Sequence, residues 1–196
     1  LRDIQERAIE PILRRDCDVI ISAATASGKT EAAFLPACSN VADNPPSGTA
    51  ILYISPLKAL INDQHRRLRR FCEILDLPIT PWYGDVQRSL KERQKKKPGG
   101  IILITPESLE SLMLNHAGWC GQAFKNLRYI IIDEFHAFLG SERGIQLQSL
   151  LHRIEFMLGY TIPRIALSAT LGDMRQVADC LRPGRTSMPY EVIVSD

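Results

Sequence analysis

The chain has 196 residues, 45% apolar and 23% charged, the balance of an ordinary globular domain long enough to bury about 70% of its unfolded surface. A net charge of +2 supplies no bulk attraction for polyanions, so any affinity for nucleic acid has to come from local patches. The five cysteines (Cys17, Cys38, Cys72, Cys120, Cys180) are scattered without a C-x-x-C pair, and no apolar run reaches the ~18 residues of a membrane span; this speaks against a disulfide framework, a zinc or iron–sulfur site and a membrane protein, and for reduced thiols in a cytoplasmic one.

Apolar positions Ile4, Ala8, Ile9, Ile12 and Leu13 recur at helical spacing, so residues 2–15 read as an amphipathic helix with Gln5 among its polar positions. An apolar run over 18–22 reads as a strand, and a helix-forming run over 31–35 follows. Between them lie Ala23, Ala24, Thr25, Ala26, Ser27, Gly28, Lys29 and Thr30, a loop of small residues closed by Gly-Lys-Thr at the start of the helix. That is the setting of a phosphate-binding loop. The first helical N–H groups have no intrahelical partner, the helix dipole is positive there, and small side chains let the backbone curl around an anion. Lys29 can then reach the β and γ phosphates, and the Thr30 hydroxyl can ligate Mg²⁺. Ala23 stands where the general pattern carries its first Gly. Outside this setting Gly-Lys-Thr would mean only a helix start with an exposed lysine.

A turn over 44–48 precedes a continuously apolar strand over 50–54, the pattern of a strand buried on both faces. Ser55 and Pro56 end it and open a helix over 57–75 that begins with Lys58, at the carboxyl end of a strand where open α/β sheets bind ligands. A strand over 79–83 ends at Gly84 and Asp85, and a charged helix over 86–97 closes on Lys95, Lys96 and Lys97, a run most simply read as solvated surface. After a buried strand over 101–104, Thr105, Pro106, Glu107 and Ser108 form a helix start with an N-cap and a first-position proline; its bare N-terminus also suits an anion.

The most apolar strand, 127–132, delivers Asp133, Glu134, Phe135 and His136. Charges at the tip of a buried strand are costly unless they are paired or bind a metal. A turn over 140–144 leads to a helix over 144–158, a strand over 164–167 ends in Ser168, Ala169 and Thr170, and Asp173 caps a last helix to about Leu181 before an extended run over 190–194. The alternation predicts an α/β fold, a mainly parallel sheet with helices on both faces.

Two parts of a phosphoryl-transfer site are then present. Mg²⁺ is expected between the β and γ oxygens, held by Thr30 and, through water, by Asp133, with Glu134 left to orient and deprotonate the attacking water. Ser168, Thr170 and His136, on other strand ends, could sense the γ-phosphate.

With these residues in place the chain resembles the first RecA-like P-loop NTPase domain of a superfamily 2 DEAD/DEAH-box helicase. Residues 24–30 resemble motif I, 56–60 motif Ia, 105–109 motif Ib, 133–136 motif II and 168–170 motif III, and Gln5 falls where the family's adenine-reading glutamine lies. Residues 53–60, 83–85 and 140–144 look most like large helicase-related (Lhr) or Ski2-like proteins. The resemblance implies ATP and Mg²⁺ as cofactors and single-stranded or duplex DNA or RNA as partner, with Pro56, Lys58, Gly84, Thr105, Pro106 and Glu107 along the backbone phosphates. It also implies a second RecA-like domain carrying motifs IV to VI and an arginine finger. On this reading 1–182 is the ATP-binding domain, 183–196 a linker toward the second domain, both ends are cut from a longer protein, and the fragment alone is nearly inactive. A P-loop ATPase without unwinding, and a non-catalytic nucleic-acid-binding module, are the competing readings. Motifs Ia, Ib and III argue against the first, and intact Lys29, Thr30, Asp133 and Glu134 against the second.

Overall fold

The computed structural model describes residues 1–24, 27–169, 172–184 and 188–195. Its strands are β1 (Asp18–Ser22), β2 (Gly48–Ile54), β3 (Ile79–Trp82), β4 (Gly99–Ile104), β5 (Tyr129–Ile132), β6 (Arg164–Ser168) and β7 (Tyr190–Val194). They form one sheet in the order β3-β4-β2-β5-β6-β1-β7, every pairing parallel. Each crossover carries helix: α2 (Lys29–Asp43), α3 (Lys58–Ile74), α4 (Arg88–Lys96), α5 (Pro106–Asn115) with α6 (Ala117–Ala123), α7 (Glu142–Leu158) and α8 (Met174–Leu181), while α1 (Asp3–Arg14) precedes β1.

Alternation along the strands supplies both layers. Val19, Ile21, Ile51, Tyr53, Tyr129 and Ile131 face α1, α2 and α3, whereas Ile20, Leu52, Ile54, Ile130 and Ile132 face α5, α6 and α7. Continuously apolar strands therefore mark a sheet covered on both sides.

Three details depart from the sequence expectation. Residues 190–194, inside the stretch set aside as a linker, pair with β1 from Asp18↔Tyr190 to Ser22↔Val194 and complete the sheet. Helix α7 begins at Glu142 rather than 144, because the Ser141 hydroxyl caps it by accepting from the Gly144 N–H at 3.1 Å. Only glycine fits at 144, since a Cβ would lie 2.0 Å from the Phe138 carbonyl oxygen. Helix α6 has no amphipathic signature and two glycines; it is held by burial of Cys120 and Ala123 and by Trp119, stacked on Trp82 at 5.6 Å.

At the amino-terminal edge of the sheet, Asp18 takes Arg182 in two bonds of 2.6 and 2.9 Å, and Glu155 takes both Arg182 and Arg164. This buried network joins β1, β6, α7 and the end of α8 at the base. The loops that carry the candidate residues after β1 to β6 leave the opposite edge.

Candidate active site

The carboxyl edge of the sheet presents, in spatial order, Gly84 after β3, Thr105 after β4, Ser55 after β2, Asp133 after β5, Ser168 at the end of β6 and Ala23 after β1. The sequence-predicted residues thus divide into two neighbouring halves on one edge.

In the first half, β1 runs into the small-residue loop and α2 starts at Lys29. Gly28 is its N-cap in the left-handed region (φ 90°), which glycine adopts without a Cβ penalty. The N-cap supplies no side-chain acceptor, and the buried Ser27 Oγ has no partner. Uncapped N–H groups beside an unsatisfied buried hydroxyl fit an anion, and this is the setting a phosphate would complete. Lys29 Nζ donates to the carbonyls of Ala23 (2.6 Å) and Ala24 (2.9 Å). Burial lowers its pKa, and the carboxylates of Glu134 and Asp133 act the other way. Gln5 packs on the same loop: a Cβ on Gly28 would meet its Nε2 at 2.7 Å, while its Oε1 accepts from the Arg2 N–H at 3.0 Å. Thr25, Ala26 and Thr170 lie outside the described residues.

Across from the loop, Asp133 is 5% exposed at the tip of β5. The Tyr53 hydroxyl donates to its Oδ2 and the Glu134 N–H to its Oδ1. Burial raises the Asp133 pKa above the ordinary carboxylate value, against the bond from Tyr53. The chain then turns through Glu134 at φ 47°, uncommon for a residue with a side chain, and the Glu134 carboxylate lies beside His136. His136 Nδ1 lies 3.4 Å from Glu134 Oε2 and 3.2 Å from Ser168 Oγ, so the ring links 133–136 to the end of β6. Thr30 Oγ1 accepts from Gln64 Nε2 at 3.3 Å. The Thr30 hydroxyl and the Asp133 carboxylate are hard oxygens, the donor type that could hold Mg²⁺.

In the second half, Lys58 Nζ pairs with Asp85 at 2.8 Å over the Tyr83 ring, beside Gly84. Thr105 caps α5, accepting from the Ser108 N–H at 3.3 Å, with Pro106 in the first turn. The Glu107 carboxylate pairs with Arg143 at 2.7 Å, and Arg143 also donates to the Pro56 carbonyl at 2.8 Å. Glu107 therefore offers a phosphate only its backbone N–H, while its side chain clamps the turn after β4 to the turn after β2. Tyr53, Gln64, Asp85 and Arg143 were not read as site residues from sequence, although 53, 85 and 143 fall in stretches that carry the resemblance, and each bonds a candidate.

Comparison with known proteins bears on the family and the fold. The DEAD/DEAH box helicase family matches residues 2–178. The chain is 36% identical over 176 residues to an "Lhr helicase/probable uracil glycosylase" of Mycolicibacterium smegmatis, covering 82% of this chain and 12% of that protein. It is 36% identical over 178 residues to an "ATP-dependent helicase Lhr-Core protein 2" of Thermococcus barophilus, covering 82% and 20%. The solved Mycobacterium smegmatis helicase Lhr, bound to ssDNA and AMP-PNP, superposes with a TM-score of 0.82 at 34% identity over 98% of this chain and 25% of that one. The chain thus spans a fifth or less of the two curated relatives. No helix among the described residues is long and apolar enough to cross a membrane.

Proposed function

This chain belongs to the DEAD/DEAH box helicase family, and on that footing we propose that it is the ATP-binding and hydrolysing motor domain of an ATP-dependent helicase or translocase, incomplete without a second domain of the same protein. The observation that carries the reading is the convergence of Lys29 with Asp133 and Glu134 at a helix start left without a side-chain cap. Bound ATP would supply the phosphoryl group and Mg²⁺ the charge that its β and γ oxygens need. For the chain's own part, the 24–30 backbone cradles the phosphates and Lys29 exchanges its two carbonyls for phosphate oxygens. Thr30 and Asp133 hold the metal, Glu134 takes the proton of the attacking water, and Gln5 reads the adenine. His136 and Ser168 join that base to the neighbouring strand end, a route by which the state of the phosphate reaches β6. Steady-state ATPase of the full-length protein with single-stranded DNA, duplex DNA and RNA in turn is the test. Turnover unmoved by any of them would favour a P-loop ATPase without a nucleic-acid role.

The raised Asp133 pKa gives a pH signature. A proton competes with the metal for this carboxylate, so the metal dependence of ADP binding should weaken as pH falls, and should do so at a higher pH than an ordinary Asp would allow. The nucleotide's own phosphates titrate as well, so the informative quantity is the difference between wild type and Asp133→Asn in calorimetric ADP titrations with and without Mg²⁺ from about pH 5 to 8. Identical pH profiles would remove Asp133 from the metal site.

The second half of the edge is proposed to hold the backbone of one strand. Lys58→Ala should weaken binding across sequences alike and lower the slope of log affinity against log salt by about 0.7, the share of one single-strand phosphate contact. The expected loss is modest, because Lys58 is exposed and already shared with Asp85. A sequence-dependent loss, or an unchanged slope, would contradict a phosphate contact.

A further inference from the structure

Between α4 and α5, at the carboxyl end of β3, lies an open cleft of about 350 Å³. None of its lining residues belongs to the phosphate loop or to 133–136; it adjoins Gly84 and the first turn of α5, at the far end of the strand-binding half. Its floor is Trp82 and Leu112, both nearly buried. The indole of Trp119 stacks against Trp82 from behind and donates from Nε1 to the Lys95 carbonyl at 3.0 Å, which fixes floor and wall together.

The α4 wall carries two cations. Lys91 Nζ donates to the Gly84 carbonyl at 3.1 Å, and Lys95 Nζ lies 3.1 Å from His116 Nε2. Both partners are uncharged when the imidazole accepts. Of the carboxylates on this side of the edge, Asp85 pairs with Lys58 and also acts on Lys91 at longer range, and Glu107 pairs with Arg143. The lysine run does not behave as one solvated patch: Lys96 and Lys97 are exposed, whereas Lys95 turns into the cleft. The α5 wall presents Ser111 and Asn115, one turn apart on the face that also carries Leu112. Asn115 Nδ2 donates to the Ser111 carbonyl (2.8 Å) and hydroxyl (3.3 Å), so the amide is held and its oxygen is left for a ligand.

An apolar floor between two ammonium groups, neither in a salt bridge among the described residues, and a wall of hydroxyl and amide matches one nucleotide: a flat base below, a phosphate for the cations, polar edges opposite. We propose that this cleft is a subsite for one further nucleotide of the bound strand, its phosphate on Lys91 and Lys95 and its base over Trp82, reached after the backbone passes Gly84 and Thr105. The inference rests on the strand-binding reading of the carboxyl edge and extends it to α4, which carries none of the motifs.

The test uses full-length protein and labelled homopolymer single strands lengthened one nucleotide at a time over about 4 to 16, the range of known single-strand footprints, with affinity measured by anisotropy at several salt concentrations. Wild type should show a gain in affinity at the length that first fills the cleft. Lys91→Ala with Lys95→Ala should abolish that gain, weaken long strands on the order of tenfold, leave shorter ones unchanged and lower the salt slope by about 0.7, the share of the one phosphate that the two lysines hold. Because Lys91 also supports the Gly84 loop, Ser111→Phe, which fills the cleft from the exposed opposite wall without changing charge, is the second variant. It should abolish the same gain with the salt slope kept. A length step that survives both variants, while Thr105→Ala still weakens every strand, would overturn the subsite and leave the strand-binding reading intact. Absence of binding to strands of any length by wild type would overturn both.

Discussion

The substitution Glu134→Gln in the full-length protein is expected to leave ATP and Mg²⁺ binding in place and to slow hydrolysis by about 10²–10⁴, the range over which a positioned general base contributes. The two adjacent carboxylates are treated differently by the fold. Asp133 is 5% exposed, tied by Tyr53 and by the Glu134 N–H, so its oxygens are fixed but shut away from bulk water. The Glu134 side chain keeps 31% of its surface, on a backbone turned to φ 47°. A left-handed residue with a side chain costs about 1–3 kcal/mol and persists where the surroundings impose it. Here it points the carboxylate out of the strand line, where water can reach it. The amide of the variant keeps the shape and can still meet His136 Nδ1, but it cannot accept a proton. Nucleotide titration should therefore match wild type while steady-state turnover collapses. Turnover near the wild-type rate would end the division of labour between the two carboxylates.

Much of this site was legible because its chemistry sits where apolar runs stop. Residues 19–21, 50–54, 101–104 and 129–132 are continuously apolar, the pattern of strands covered on both faces, and the polar residues that follow them stand on one edge. What stayed hidden is of two kinds. Tyr53 and Gln64 lie inside apolar patterns and look like packing. Yet Gln64 follows Ile61 and precedes Leu68 and Cys72 on the buried stripe of α3, and an amide on such a stripe needs a polar partner. That signal could have pointed to Thr30. Arg143, Lys95 and β7 are of the other kind. Arg143 bridges two turns 36 and 87 residues away, the inward turn of Lys95 depends on His116 and Trp119, and β7 exists only by pairing with β1. No local pattern carries those partners, because nothing in a sequence window reports what tertiary packing will bring alongside it.

Lys29→Ala should act earlier than Glu134→Gln, on binding and turnover together. The Lys29 ammonium is the cation that the phosphate loop can bring to the β and γ oxygens, and it is 9% exposed, so little water screens it. It is held by two loop carbonyls and poised near Glu134 and Asp133, whose charges offset part of the pKa loss that burial causes. Truncating one member of a buried, hydrogen-bonded charge pair costs about 2–5 kcal/mol, which is roughly 30- to 5,000-fold in an equilibrium or rate constant. ATP affinity should fall within that range and hydrolysis should drop below it, since the charge that develops on the phosphoryl oxygens loses the same cation. Lys29→Met separates charge from packing. It keeps the apolar stem over the loop and removes a buried cation, so it should fold as well as wild type and bind ATP as poorly as Lys29→Ala. Lys29→Arg should not rescue either property, because a planar guanidinium cannot follow the path of a narrow ammonium stem folded back onto Ala23 and Ala24. Calorimetric ATP titration and single-turnover hydrolysis on the three full-length variants are the measurements. Wild-type affinity and turnover in Lys29→Met would mean that the loop over 24–30 does not hold the reacting phosphates.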